Sequence, residues 1–149
     1  MITLDPEFSA QLPAGIDAFD YIMQLDGELF RDMGDRRTLR FSLHGKRYFL
    51  KAHYGVGWKE IIKNLLQLRL PVLGARNEWL AIMRLEELGV ETMTLAGYGE
   101  RGSNPASRES FVITAALEDT CSLEDFCGAW EHRPPVTREE IRLKRALLK

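Results

Sequence analysis

Along the first stretch of the chain, Phe8, Leu12, Ile16, Phe19 and Ile22 recur at helix-like spacing through about Gln24, interrupted by Pro13 and Gly15. This pattern predicts a short, partly helical lead-in over residues 1–26 that packs on the main body. From Glu28 strand character takes over. Glu28 to Met33 reads as a strand, Gly34-Asp35 as a turn, Thr38 to Leu43 as a second strand and Arg47 to His53 as a third, giving an antiparallel meander. Leu39 and Phe41 share a face with Phe49 if one continuous core is assumed. That assumption favours a three-residue loop, Leu43-His44-Gly45, which pairs Ser42 with Lys46, Leu39 with Phe49 and Phe41 with Arg47. Lys51 then lies on the same side as Leu39, Phe41 and Phe49, where it needs an anionic partner.

Beyond Gly55 and Gly57, the residues Trp58, Ile61, Ile62, Leu65 and Leu66 form one helical stripe, in an insert over 55–73 that Pro71 closes. A longer helix is expected from about Gly74 to Leu88, capped by Gly89, with Ala75, Glu78, Ile82 and Leu85 on its inner stripe. Val90 to Glu100 and Glu109 to Thr114 read as two more strands joined by a loop over 102–105. A short helix from about Ser122 to Ala129 precedes Pro134-Pro135, and Thr137 with Glu140 has capping-box spacing for a last helix. That helix meets the end of the sequence without a C-cap, so the chain is expected to be the front part of a longer protein.

At 149 residues, 45% hydrophobic and 28% charged, the composition is that of an ordinary globular domain and argues against disorder. No apolar run approaches the ~18 residues of a membrane span, and Asp5, Pro6 and Glu7 do not resemble a signal peptide. Two cysteines, Cys121 and Cys127, give neither a disulfide framework nor a cysteine zinc site, which suits a reducing cytosol.

The net charge of −2 hides a strong asymmetry. Acids dominate residues 1–35 and 70–130. Between them, Arg36, Arg37, Arg40, Lys46, Arg47, Lys51, Lys59, Lys63 and Arg69 face Glu60 alone. One reading is an anionic partner: phosphate, a phospholipid surface or nucleic acid. The other is an intramolecular match of a basic sheet with acidic flanks.

Two opposite charges on inward-facing stripes stand out, Lys51 on the third strand and Glu78 on the helix that follows. Antiparallel strands, a strand lysine, a helix glutamate, two further strands, a connector and then helices follow the order of a protein-kinase-like N-terminal lobe. In such a lobe the lysine holds the nucleotide α- and β-phosphates and the helix carboxylate orients it. A salt bridge that merely closes sheet onto helix is the alternative.

The segments RRTLR (36–40), YFLKAHYGVGWKEIIKNLL (48–66), PVLGARNEW (71–79) and AGYGERGSNPA (96–106) resemble the lipopolysaccharide core heptose(I) kinase family, from about Glu28 to the chain end. The resemblance implies an α+β, protein-kinase-like N-lobe over 27–118 with a five-stranded antiparallel sheet, and over 119–149 the connector and first helices of a second lobe. It implies transfer of the ATP γ-phosphate to heptose I of the inner core at the cytosolic face of the inner membrane. Lys51 and Glu78 are then the catalytic pair, and Ile82 a spine position. Leu39 and Phe49 cover the purine, Thr114 guards the back of the pocket, and Ala115-Ala116-Leu117 offers backbone groups to the adenine edge.

Family members often carry two glutamates where Ala115 and Ala116 stand, which backbone pairing does not require. Gly34 is a lone glycine in the phosphate loop, and Arg36 and Arg37 compensate with side-chain contacts or else are solvated hairpin arginines. His44 and His132 read as turn and surface residues, while His53, on the Lys51 face, reads as a packed residue or, alternatively, as one that reaches phosphate. The catalytic aspartate and the Mg2+ ligands are expected in the second lobe, so no metal ligand is assigned here and this chain alone should not catalyse. Expected partners are ATP and a lipopolysaccharide core precursor, with no nucleic acid. The Trp58, Ile61, Ile62, Leu65 and Leu66 stripe reads as core or lobe packing, with a peripheral inner-membrane contact bordered by Lys59, Lys63 and Arg69 as the alternative. A kinase for another core sugar (Kdo) and a non-catalytic kinase-like scaffold are the rival readings.

Overall fold

The computed structural model describes residues 1–68, 74–128, 130 and 132–147. The chain divides into two compact units, Met1–Ala116 and Leu117–Lys149. The first unit is α+β. Its strands are β1 (Ile2–Leu4), β2 (Glu28–Asp32), β3 (Arg36–Leu43), β4 (Lys46–His53), β5 (Leu95–Arg101) and β6 (Glu109–Ala115), in one sheet ordered β1-β5-β6-β4-β3-β2. All pairings are antiparallel. The helices are α1 (Pro6–Ser9), α2 (Ala18–Met23), α3 (Gly57–Leu66) and α4 (Arg76–Glu87).

The five strands expected from the sequence are present, and β1 adds a sixth. This strand, at the head of the lead-in, pairs with β5 through Ile2↔Gly99, Thr3↔Tyr98 and Leu4↔Gly97. The chain then turns into α1, where Asp5 caps the helix by accepting from the Glu7 and Phe8 N–H groups at 3.0 and 3.1 Å and Pro6 occupies the first helical turn. Asp17 caps α2 through the Asp20 N–H at 3.0 Å. Phe8, Phe19, Ile22 and Met23 thereby lie on one face of the sheet against Leu39, Phe41, Tyr48, Leu50, Ala52, Ala96, Phe111 and Ile113. At ~1.5–3 kcal/mol per fully buried large side chain, this seam is the main source of the unit's stability.

Ion pairs follow the acidic-flank pattern of the sequence: Lys46 with Glu7, Arg101 with Asp17 and Asp20, and Arg40 with Glu28. Exposed pairs of this kind contribute only ~0–1 kcal/mol each. They orient the lead-in more than they hold it.

The β3–β4 register differs from the sequence expectation. The loop is the two-residue turn His44-Gly45, with φ of 47° and 83°, and it pairs Leu43 with Lys46, Arg40 with Phe49, Leu39 with Leu50 and Thr38 with Lys51. Two successive positive φ values match the right-handed twist of the strands, and glycine takes the second at no steric cost. The three-residue loop rested on placing Phe49 in the same core as Leu39. The sheet is covered on both faces, so the two residues point to opposite sides.

On the second face, α4 packs through Ala75 and Trp79 against Tyr98, Val112 and Leu95. Trp79 stacks on Tyr98 at 4.4 Å with 7° between the rings, and Ile82 is buried. At the start of α4, the buried Ser110 hydroxyl on β6 accepts the Ala75 N–H at 3.0 Å. At its end, the Gly89 and Val90 N–H groups return to the Glu86 and Leu85 carbonyls, with Gly89 at φ 69°, the glycine stop read from sequence.

Helix α3 forms as expected, but its apolar stripe is mostly uncovered. Ile61 is buried, while Trp58, Ile62, Leu65 and Leu66 are exposed. Arg69 and Pro71, assigned to the end of this insert, lie outside the described residues. In the second unit, α5 (Leu123–Gly128) begins after Ser122, whose hydroxyl accepts the Asp125 N–H at 3.0 Å. Helix α6 (Arg138–Leu147) has the predicted capping box, with Glu140 N–H donating to Thr137 Oγ1 and Thr137 N–H to Glu140 Oε2. Cys121 and Cys127 are free thiols.

Candidate functional site

Strand alternation on β4 sends Phe49, Lys51 and His53 to the face that α4 covers, and Tyr48, Leu50 and Ala52 to the lead-in. The cross-strand neighbours of Lys51 are Thr38 on β3 and Val112 on β6. Glu78 stands in the first turn of α4, where a carboxylate also complements the helix dipole. Ser110 fixes the start of this helix and the Trp79–Tyr98 stack fixes its rotation, and the carboxylate consequently meets the Lys51 ammonium in a direct ion pair.

The pair opens onto a cavity of about 340 Å³ lined by Arg31, Arg36, Thr38, Lys51, His53 and Glu78, among others. The Lys51 and Glu78 side chains are 39% and 30% exposed. A pair this open contributes at most ~1 kcal/mol to stability, and both partners remain accessible to a ligand. Burial, and then the Arg36 charge, hold His53 below the usual histidine pKa.

The other sequence-assigned residues separate into two groups. Phe49 and Thr114 are cross-strand partners on the Lys51 face; Thr114 is buried and Phe49 packs edge-on against Phe30 at 5.1 Å. Arg36 lines the cavity. Ala115 ends β6 opposite Tyr48, with its N–H given to the Thr94 carbonyl at 2.9 Å. Leu117 opens the second unit and is exposed.

The register corrects one assignment, Leu39, while Arg37 lines the cavity but, like Gly34, has a hydrogen-bonding group already engaged. Leu39 is 1% exposed inside the lead-in core, on the face opposite Lys51, so it is a core residue and not a purine cover. Arg37 Nη2 donates to the Met23 and Leu25 carbonyls of the lead-in at 3.0 and 2.9 Å. Gly34 adopts φ 79° in the β2–β3 turn, and its N–H donates to Asp32 at 2.9 Å. It shapes the turn rather than offering an amide to a ligand.

Arg31, Thr38 and Asn77 line the cavity and were not singled out from the sequence. The two-residue register would have found Thr38 as the partner of Lys51, and Asn77 immediately precedes Glu78.

The match to the family described as "Lipopolysaccharide kinase (Kdo/WaaP) family" covers residues 20–148. The chain is 55% identical over 139 residues to the lipopolysaccharide core heptose(I) kinase WaaP of Escherichia coli strain K12, covering 93% of this chain and 51% of that protein. The WaaP of Pseudomonas aeruginosa is 52% identical over 134 residues, covering 90% and 48%. A solved structure described as WaaP in complex with acyl carrier protein superposes with a TM-score of 0.72 at 40% identity, covering 99% of this chain and 52% of that one. The chain thus spans about half the length of the relatives it matches. Its fold is that of a kinase-like N-lobe, and the chain belongs to the lipopolysaccharide kinase (Kdo/WaaP) family.

Proposed function

We propose that this chain is the nucleotide-binding part of an ATP-dependent kinase that phosphorylates heptose I of the lipopolysaccharide inner core. The observation that carries this reading is the Lys51–Glu78 ion pair opening onto the cationic cavity. Lys51 binds the α- and β-phosphates and Glu78 holds its ammonium in place, a division of labour that positions the polyphosphate for transfer. Phe49 and Thr114 border the purine, and the end of β6 at Ala115 lies toward its edge. On this reading residues 27–118 form the N-lobe with its insert at 55–73, and 119–149 begin the second lobe.

Mg2+ bound with ATP would neutralise developing phosphate charge. Among the described residues no group of three or more His, Cys, Asp or Glu side chains is placed to hold a metal. We assign its ligands, and the aspartate that accepts the sugar hydroxyl proton, to the second lobe that the family resemblance implies. No described helix is long and apolar enough to cross a membrane. We assign the enzyme to the cytosolic face of the inner membrane as a peripheral protein, acting on a lipopolysaccharide core precursor. The partner named for the solved relative, acyl carrier protein, is extended to this chain as a candidate to be tested by co-purification.

The test is transfer of labelled γ-phosphate from ATP to heptose-bearing core acceptor by the full-length protein that contains this chain. Lys51→Met should lower turnover on the order of a hundredfold or more while the fold survives, and Glu78→Gln should be milder because the cation remains. Turnover like wild type in Lys51→Met would overturn the assignment.

A further inference from the structure

Two nitrogens in the cavity play no part in the Lys51–Glu78 pair. Arg36 and His53 are direct cross-strand partners on β3 and β4, on the Lys51 face, and both line the cavity. Arg36 Nε and His53 Nδ1 are shielded from solvent, yet neither has a hydrogen-bond partner in the protein. The Asp35 carboxylate comes no closer to Arg36 Nε than 3.6 Å, beyond hydrogen-bond reach. Arg36 is half-exposed and ion-paired with Asp35, but its Nε and the His53 Nδ1 make no hydrogen bond, which leaves capacity on the cavity wall that a water or an anion can take up.

We propose that Arg36 and His53 form an anion-binding pair that takes oxygens of the nucleotide's terminal phosphate. The inference rests on the nucleotide reading above and deepens it. It assigns to two side chains the work that a glycine-rich loop does with backbone amides. The β2–β3 turn has the single glycine Gly34, whose N–H is held by Asp32, and Arg37 is committed to the lead-in carbonyls. Arg36 therefore remains, beside Arg31 and Lys51, as the cation that the turn delivers to the cavity. A guanidinium forks onto phosphate oxygens, and a histidine next to it adds one donor when neutral and two when protonated.

The groups acting on His53 are Arg36 and Asp35 from the β2–β3 hairpin, Lys51 from its own strand and Glu78 from α4. Burial and then Arg36 keep the empty-site imidazole neutral near pH 7. A polyphosphate in contact offsets both effects and raises the pKa, so binding takes up a proton. Affinity then rises as pH falls through the window between the free and bound values.

The test follows the imidazole signals of the three histidines by NMR, with inorganic tripolyphosphate and with ATP as probes. Saturating tripolyphosphate should raise the apparent pKa of His53 by about one unit and leave His44 and His132 unchanged. Arg36→Gln should weaken tripolyphosphate binding about tenfold without changing the affinity for adenosine. His53→Gln should remove the acid-side gain in affinity. The wild-type titration decides the matter even if a variant fails to fold. If ATP shifts the Lys51 side-chain signals while His53 titrates unchanged, the anion pair is overturned and the nucleotide reading stands. If tripolyphosphate shifts His53 but ATP does not bind, Arg36 and His53 hold a free polyanion only, and the nucleotide reading falls together with the terminal-phosphate assignment. If neither probe shifts any signal, both fall.

Discussion

Replacing Phe8 with alanine asks whether the lead-in is part of the structural core or a separable flap. The Phe8 ring is 1% exposed and packs edge-on against Tyr48 at 5.1 Å and Phe41 at 6.4 Å. Truncation loses the transfer free energy of the ring and leaves a cavity between α1 and the sheet, which together cost ~3–5 kcal/mol. On a unit of this size that loss corresponds to a fall in Tm on the order of 10–20 °C.

The assay is urea denaturation read by tryptophan fluorescence in a Trp58→Phe, Trp130→Phe background. The remaining Trp79 stacks on Tyr98, on the sheet face away from Phe8, and reports whether damage on one side is felt on the other. The account predicts a large drop in midpoint at unchanged slope. Leu29→Ala, at a site 54% exposed, serves as the control and should stay within ~0.5 kcal/mol. If the Trp79 transition is unmoved while lead-in signals are lost, the lead-in folds independently and the two-faced core is refuted.

Ser110→Ala leaves the buried Ala75 N–H without its acceptor and should cost ~1–3 kcal/mol; calorimetry measures the loss, and backbone NMR shifts in the first turn of α4, next to Glu78, should move with it. Gly45→Val forces a β-branched residue to φ 83° in the β3–β4 turn and should destabilise by ~1–2 kcal/mol; a neutral effect in denaturant titration would contradict the left-handed conformation at this position. The N–H groups of Thr137 and Val136 and the Thr137 hydroxyl lower the Glu140 pKa in the folded state, the Thr137 backbone contact most of all. Its capping contribution is therefore full above the unfolded carboxylate value, about 4.3, and is lost as pH falls through the depressed folded value. An NMR titration should show the first turn of α6 loosening only at acid pH, and Glu140→Gln should flatten that response.

The element order was legible because each signal was local. Period-two alternation marked β3, short runs bounded by turn signals marked β2, β4 and β6, the Gly89 stop marked the end of α4, and Thr137 with Glu140 marked α6. The pair Lys51 and Glu78 was legible for the same reason: charges on inward stripes need partners. Strand β1 was missed because three residues, Ile2–Leu4, carry too little pattern, and its pairing partner lies far along the chain on β5. The β3–β4 register was misread because alternation reports two faces without saying that both are covered. Phe49 and Leu39 are each apolar and packed, against Phe30 and against the lead-in core respectively. That single slip carried Leu39 to the wrong side of the sheet. The exposed stripe of α3 shows the converse limit, since amphipathic spacing specifies a face but not what lies against it.

The most direct test of the Lys51–Glu78 site is calorimetric titration of this chain with ATP and with adenosine, for wild type, Lys51→Met and Glu78→Gln. Wild type should prefer ATP and Lys51→Met should lose that preference, with ATP affinity down about tenfold or more and adenosine affinity nearly unchanged. Glu78→Gln should fall between them. Equal ATP affinity in wild type and Lys51→Met would contradict the account, because the ion pair would then be a clasp between sheet and helix and nothing more.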